Sequence, residues 1–61
     1  MKIGFIGLGN VGGKLAGSLI RNNFDVTVRE IDESLTNKFK KLGAKVAKSP
    51  KELAEETDLI I

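Results

Sequence analysis

The apolar positions of this chain fall into short runs whose spacing alternates between strand-like and helix-like. Lys2 to Leu8 is an apolar run ended by glycines, without clean polar alternation. That is the pattern of a strand buried on both faces, as at the centre of a parallel sheet, and it predicts β1. From Asn10 to Arg21 the period changes: Val11, Leu15 and Leu19 recur every four residues with Ala16 and Ile20 beside them, while Lys14, Ser18 and Arg21 take the opposite side. This predicts an amphipathic helix, α1, with Val11, Leu15 and Leu19 toward the core. Gly12, Gly13 and Gly17 lie inside it. Each costs roughly 1 kcal/mol against alanine in a helix interior, so close approach to a strand or ligand is the expected reason for them. Asn22-Asn23 marks its end, because asparagine tolerates the left-handed conformation.

Asp25 to Glu30 carries the β-branched run Val26-Thr27-Val28 and predicts β2. Asp32 stands at an N-cap position before Leu35, Phe39 and Leu42, with Lys38, Lys40 and Lys41 near the helix end and Gly43 as the stop. That segment is α2. Ala44 to Ala47 predicts a short strand, β3. Ser49-Pro50-Lys51-Glu52 has capping-box spacing with proline at the first helical position, which predicts α3 through Glu56, burying Leu53 and Ala54. Asp58 to Ile61 opens β4. The order β-α-β-α-short β-α-β implies an α/β fold with a parallel sheet between helical layers.

Composition narrows the chemistry. The chain has 61 residues, no histidine and no cysteine. Disulfides and thiolate zinc sites are excluded, and the commonest metal ligand and general base is missing, so neither catalytic nor metal-ligating residues are assigned. The net charge of +2 is spread along the chain and gives no argument for nucleic acid or membrane as a partner. No apolar stretch approaches the roughly 20 residues of a membrane span, and no address is evident, so a cytoplasmic location is expected. The abrupt apolar ending leads to the expectation that residues 1–61 are part of a longer domain. In that case one side of β1 would be an unpaired edge, and the isolated chain marginally stable and aggregation-prone.

The strongest motif is Gly7-Leu8-Gly9-Asn10-Val11-Gly12, set between β1 and α1. Gly7 permits the tight turn off the strand, Gly9 admits a pyrophosphate where a Cβ would collide, and Gly12 lets the helix pack closely on the strand. Amides at the start of α1, with the helix dipole, then attract phosphate. Alone the spacing could be a flexible turn; a strand before it and a helix after it make it the dinucleotide-binding fingerprint of a Rossmann-type doubly wound fold, here its first half. Glu30 follows Gly12 by 18 positions (12 to 30), near the spacing of about 20 expected for a carboxylate that binds the adenosine ribose. Such an acid repels a 2′-phosphate, which favours NAD over NADP while leaving NADP possible. The bland alternative is a solvated strand-end glutamate. Ile31 is a candidate lining of the adenine pocket, against ordinary core packing. Arg29 should point away from Glu30 by strand alternation, unless a twist of the strand end brings it toward a 2′-phosphate. Asp32 is better explained as the α2 cap, Lys14 as solvent-exposed, and the Lys38-Lys40-Lys41 cluster as a solvated helix end.

The run from Lys2 through Gly12 resembles the N-terminal signature of the β-hydroxyacid dehydrogenases, which include 3-hydroxyisobutyrate and 6-phosphogluconate dehydrogenases. The likeness continues through Leu15-Ala16, Val26-Thr27-Val28, Leu42-Gly43-Ala44, Ala47, Ser49-Pro50, Leu53-Ala54-Glu55 and Asp58-Leu59-Ile60-Ile61. It departs at Val11, Lys14 and Ser18, where the family commonly has Met, a small residue or proline, and Asn. Members preferring NADP often carry Asn-Arg-Thr where this chain has Glu30-Ile31-Asp32. The resemblance implies a nicotinamide-dependent oxidoreductase acting on a β-hydroxyacid, and a homo-oligomer. Its catalytic lysine, second glycine-rich loop and helical substrate domain would lie beyond residue 61. Competing expectations are a nucleotide-binding or regulatory module without dehydrogenase activity, or another Rossmann enzyme such as pyrroline-5-carboxylate reductase or a methyltransferase.

Overall fold

The computed structural model describes the backbone of residues 1–61 and every side chain except those of Asn10 and Val11. Its elements are β1 (Lys2–Ile6), α1 (Asn10–Arg21), β2 (Asp25–Arg29), α2 (Glu33–Lys41), β3 (Lys45–Val46), α3 (Pro50–Glu56) and β4 (Leu59–Ile60). All seven expected elements are present in the expected order, with shorter strands. β1 stops at Ile6 because Gly7 takes φ +83°, off the strand path.

The strands form one parallel sheet in the order β3-β2-β1-β4. In β2, Val26 and Val28 stand beside Ile3 and Phe5 of β1. β4 pairs with the other side of β1, Ile3 beside Leu59 and Gly4 beside Ile60. The expectation of an unpaired edge on β1 is therefore corrected. β1 is central, and β4 forms the edge, with Leu59, Ile60 and Ile61 exposed. The chain runs outward from β1 to β3, then crosses to β4 on the far side of β1. That reversal places a topological switch point between β1 and β4, where open α/β sheets leave a crevice beyond the carboxyl ends of their strands.

The parallel sheet is covered on both faces, as such sheets require. One core joins Ile3, Phe5, Leu8, Ala16, Val26, Val28, Phe39 and Ala44, and so lies under α1 and α2. The opposite face is covered by α3. There a Cβ built on Gly4 would lie 3.0 Å from Leu53 Cγ and from both Thr57 Cγ2 and Oγ1. Leu53 is fully buried and Ala54, expected to be buried too, is exposed. Gly4 is thus the point of close approach between β1 and α3, a role that the apolar pattern of β1 did not reveal.

The buried stripe of α1 differs from expectation. Ala16 and Gly17 are buried and Gly13 and Ile20 partly so, whereas Leu15 is exposed. Residues 13, 16, 17 and 20 follow the i, i+3, i+4, i+7 rule as well as the leucines do. The small residues win because they let the helix approach: a Cβ on Gly13 would meet the Phe39 ring at 3.6 Å. Leu19 remains partly buried against the core; the side chain of Val11, the third residue of the expected stripe, lies outside the described residues.

The helix ends follow their local chemistry. Asn23 takes φ 66° after α1, and Gly43 φ 108° after α2. Asp32 caps α2, its Oδ1 accepting from Ser34 N at 2.9 Å and Ser34 Oγ at 2.7 Å. Ser49 Oγ accepts from Glu52 N at 3.1 Å at the start of α3. Leu42, expected on the buried face of α2, falls at its C-cap and is exposed; Phe39 and, in part, Leu35 carry that face.

Candidate functional site

The parallel strands bring Gly7, Glu30 and Ile61 to one end of the sheet. Gly7 N donates to the carbonyl of Arg29 at 3.0 Å, and Ile6 N to that of Ile61 at 3.1 Å. Gly7 then turns the chain through its positive φ, and Leu8 drops into the core. Gly9 is the N-cap of α1, with extended backbone and no side chain to satisfy the first-turn amides, and its carbonyl accepts from Gly13 N at 2.7 Å. The amides of the first turn therefore have no intrahelical acceptor and face whatever lies beyond the loop.

The loop glycines differ in what surrounds them. A Cβ on Gly9 would meet nothing within 4 Å, which leaves the space over that backbone open. A Cβ on Gly12 would come within 3.1 Å of the Gly7 carbonyl oxygen, so Gly12 holds the helix close to the turn. The loop thus presents an open, amide-lined concavity at the positive end of a helix, the donor set that a phosphate accepts. The candidate residues Asn10 and Val11 belong to this turn; their side chains lie outside the described residues.

Glu30 follows β2 and closes the loop from the side. Its Oε1 accepts from Leu8 N at 2.6 Å, and its Oε2 from Ile31 N at 2.8 Å and Asp32 N at 3.0 Å. The amides of Asp32 and Leu8, and then that of Ile31, hold the Glu30 carboxyl below its ordinary range against a smaller opposing desolvation. The side chain is not a free strand-end glutamate. It clasps the glycine loop to the β2–α2 turn and keeps an acceptor site on its outer side.

Beside this clasp lies a cavity of about 190 Å³ lined by Ile6, Gly7, Arg29, Glu30, Ile31 and Pro50. Ile31 is 87% exposed, so core packing does not account for it. Arg29 was expected to point away from Glu30 by strand alternation. It borders the same cavity instead, and its Nη1 reaches back to the Glu30 carbonyl at 3.3 Å. Arg29 is still paired, with Ile6, whereas Glu30 lies past the end of β2, so it is Glu30 that alternation no longer holds to the opposite face. Pro50 was read only as a helix-start residue; its place at the cavity follows from the loop after β3 lying at the same sheet end. Lys14 is exposed, as expected. It borders a second groove, of about 420 Å³, between α1 and α2, whose lining also includes Leu8 and Gly9 of the loop.

Among the described residues no cluster of His, Cys, Asp or Glu could hold a metal ion, and no helix is long and apolar enough to cross a membrane. A central parallel strand, a glycine turn, a helix N-terminus and an acid after the second strand define a dinucleotide-binding Rossmann-type domain. The chain belongs to the family of the NAD binding domain of 6-phosphogluconate dehydrogenase, whose pattern matches residues 2–61. It is 44% identical over 59 residues to a probable mitochondrial 3-hydroxyisobutyrate dehydrogenase of Dictyostelium discoideum, an alignment covering 97% of this chain and 18% of that protein. The chain thus spans about a fifth of that relative's length. Among solved structures, a variant imine reductase from Myxococcus stipitatus in complex with NAD+ superposes with a TM-score of 0.91 at 25% identity, covering 97% of this chain and 21% of that one. The Myxococcus stipitatus imine reductase in complex with NADP+ shares the fold, with a TM-score of 0.92 at 23% identity over 98% of this chain and 21% of that one.

Proposed function

We propose that this chain is the N-terminal, cofactor-binding part of a nicotinamide-dependent oxidoreductase acting on a β-hydroxyacid. The observation that carries the reading is the open glycine turn at the head of α1, clasped by Glu30. In this reading the amides of the turn Gly9, Asn10, Val11 and Gly12 hold the pyrophosphate, while Gly7 and Leu8, whose amides bond to Arg29 and Glu30, shape the turn beneath it. Glu30 accepts from the adenosine ribose through its remaining acceptor site, and Ile31 offers an apolar surface to adenine. The open space at Gly9 and the unpaired first-turn amides fit such a group. When bound, the nicotinamide supplies the hydride chemistry; these residues bind and orient it. The exposed Leu59, Ile60 and Ile61 on the edge strand support a continuation of the sheet in the full-length protein.

The negative charge of Glu30 favours NAD over NADP. Titration of the full-length protein with NADH and NADPH tests this: tighter NADH binding is expected, and Glu30→Ala should narrow the difference. Equal affinities in the wild type would remove the assigned role of Glu30. Oxidation of 3-hydroxyisobutyrate or a related β-hydroxyacid with NAD is the expected turnover. Cofactor binding without turnover on any β-hydroxyacid would favour a binding or regulatory module.

A further inference from the structure

The groove of about 420 Å³ between α1 and α2 combines an apolar floor with a rim of one charge sign. Gly13 and Gly17 keep the α1 side low, and Leu35, Phe39 and Leu42 supply the α2 side. Leu42 is 49% exposed, so apolar surface that burial would favour is left open to solvent. The charged residues lining the groove are Lys14, Arg21 and Lys38, and no acid stands among them. None of the three has an ion-pair partner among the described residues; the ion pair found there joins Lys45 to Asp25 at 3.7 Å. Two of these cations lean over the floor. Lys38 Nζ stands 6.0 Å from the centroid of the Phe39 ring, and Arg21 Nη1 lies 3.4 Å from where a Cβ on Gly17 would be.

We propose that this groove is a second binding site, distinct from the dinucleotide site, for a small amphiphilic anion: an alkyl chain that carries a carboxylate. Each half of such a ligand has its counterpart. The chain lies on Leu35, Phe39 and Leu42 and covers the apolar surface left open there. From Leu35 to Leu42 the helical rise is about 10 Å, close to two turns, which suits an alkyl chain of medium length. The carboxylate is met by Arg21 and Lys38, which already overhang the floor, and Lys14 adds its charge from the α1 wall. Over an apolar floor these charges interact through a medium of lower dielectric than bulk water, so the pairing gains strength. The volume lies within the roughly 300–1,000 Å³ of small-molecule sites. A cationic amphiphile is repelled by the rim, and a neutral one leaves all three cations without a partner.

The test uses decanoate as the probe, titrated by calorimetry into the full-length protein with and without saturating NADH. Wild type should bind one decanoate per chain in both cases. Decanol, the same chain without the charge, should bind about tenfold more weakly, the loss of one charge-assisted contact. An Arg21→Gln, Lys38→Gln double variant should lose about as much of its decanoate affinity. Gly17→Leu keeps all three cations but fills the floor, and should abolish binding. Its side chain has room, since the one group near a Cβ there is the flexible end of Arg21. A cooperative thermal transition shows that each variant is folded. A wild type that does not bind decanoate overturns the proposal. So does equal affinity for decanol, or affinity unchanged in the folded double variant or in Gly17→Leu. Displacement of decanoate by NADH would put the probe in the dinucleotide site and overturn it as well.

Discussion

The amide of Leu8 donates to Oε1 of Glu30 at 2.6 Å, across 22 positions of sequence. The contact ties the glycine loop to the end of β2 before any ligand arrives. The same carboxylate accepts from Ile31 N and Asp32 N, so one side chain sets the relative position of two loops. Preorganisation of this kind lowers the ordering cost of binding.

Glu30→Gln should break the clasp despite matching its shape. A glutamine amide has one oxygen to accept with, and its NH2 would face an N–H that the carboxylate now satisfies. The expected outcome is faster hydrogen exchange at the Leu8 amide, a lower melting temperature and weaker binding of both dinucleotides. Glu30→Asp should do the same, because the shorter side chain cannot span from Leu8 to the Ile31–Asp32 turn. Unaltered protection at Leu8 in both variants would show that the loop holds its shape without Glu30.

The same bonds give a pH dependence of definite sign. Glu30 lies below its ordinary value of 4.5 through the amides of Asp32, Leu8 and Ile31, and Asp32 below 3.8 through the hydroxyl and then the amide of Ser34. A carboxylate whose folded pKa is depressed binds fewer protons folded than unfolded. Its contribution is therefore complete above the ordinary values and is lost as pH falls through the lowered ones. Melting temperatures measured from about pH 6 down to about pH 3 should decline over the lower part of that range. The decline should be shallower in a Glu30→Ala, Asp32→Ala double variant; an equally steep decline would place the acid sensitivity elsewhere.

The glycines of the loop separate stability from binding. Gly7 sits at φ +83°, so Gly7→Ala should cost about 1–2 kcal/mol of stability from left-handed strain alone. Gly9 has an ordinary negative φ and open space above it. Gly9→Ala should leave the melting temperature near that of the wild type and abolish tight dinucleotide binding, because the new methyl occupies the ground a pyrophosphate needs. Denaturation and cofactor titration on the two variants check both halves. Undiminished binding in Gly9→Ala would remove the phosphate from this turn.

Much of this architecture was legible because local chemistry and tertiary fold agree. Asp32, Gly43, Asn23 and Ser49 end their helices as their side chains or backbone freedom dictate, and Val26 and Val28 enter the core as a β-branched run should. Glu30 and the glycine turn were identifiable from spacing, and the structure brings them into contact. What could not be read depends on approach distances. The helix face of α1 was assigned to its leucines, because hydrophobicity ranks Leu15 above Gly13 and Gly17. The packing favours the residues that let α1 come close to α2 and the sheet. Arg29 and Glu30 border one cavity for a related reason: β2 ends at Arg29, so strand alternation no longer holds Glu30 to the opposite face. The pairing of β4 with β1 was missed because a crossover to the far side leaves no mark in the strand's own sequence.

Gly4 shows the same close packing in its most testable form. A Cβ at this position would lie 3.0 Å from Leu53 Cγ and from two atoms of Thr57. Those atoms belong to a fully buried leucine and to the residue that caps α3, whose hydroxyl is bonded to the Leu53 carbonyl at 2.7 Å, so neither has an easy retreat. Gly4→Ala should therefore destabilise by about 1–3 kcal/mol, an overpacking effect that outweighs the usual gain from replacing a strand glycine. Leu53→Ala should cost about 2–5 kcal/mol by opening a cavity beneath α3. The double variant decides whether the two effects share one cause. With Leu53 shortened, the added methyl at position 4 has room on that side, so the combined loss should fall short of the sum of the single losses. Chemical denaturation of the four proteins measures that coupling. Strict additivity would mean that Thr57 alone sets the limit at Gly4 and that α3 is held against β1 without the Leu53 contact.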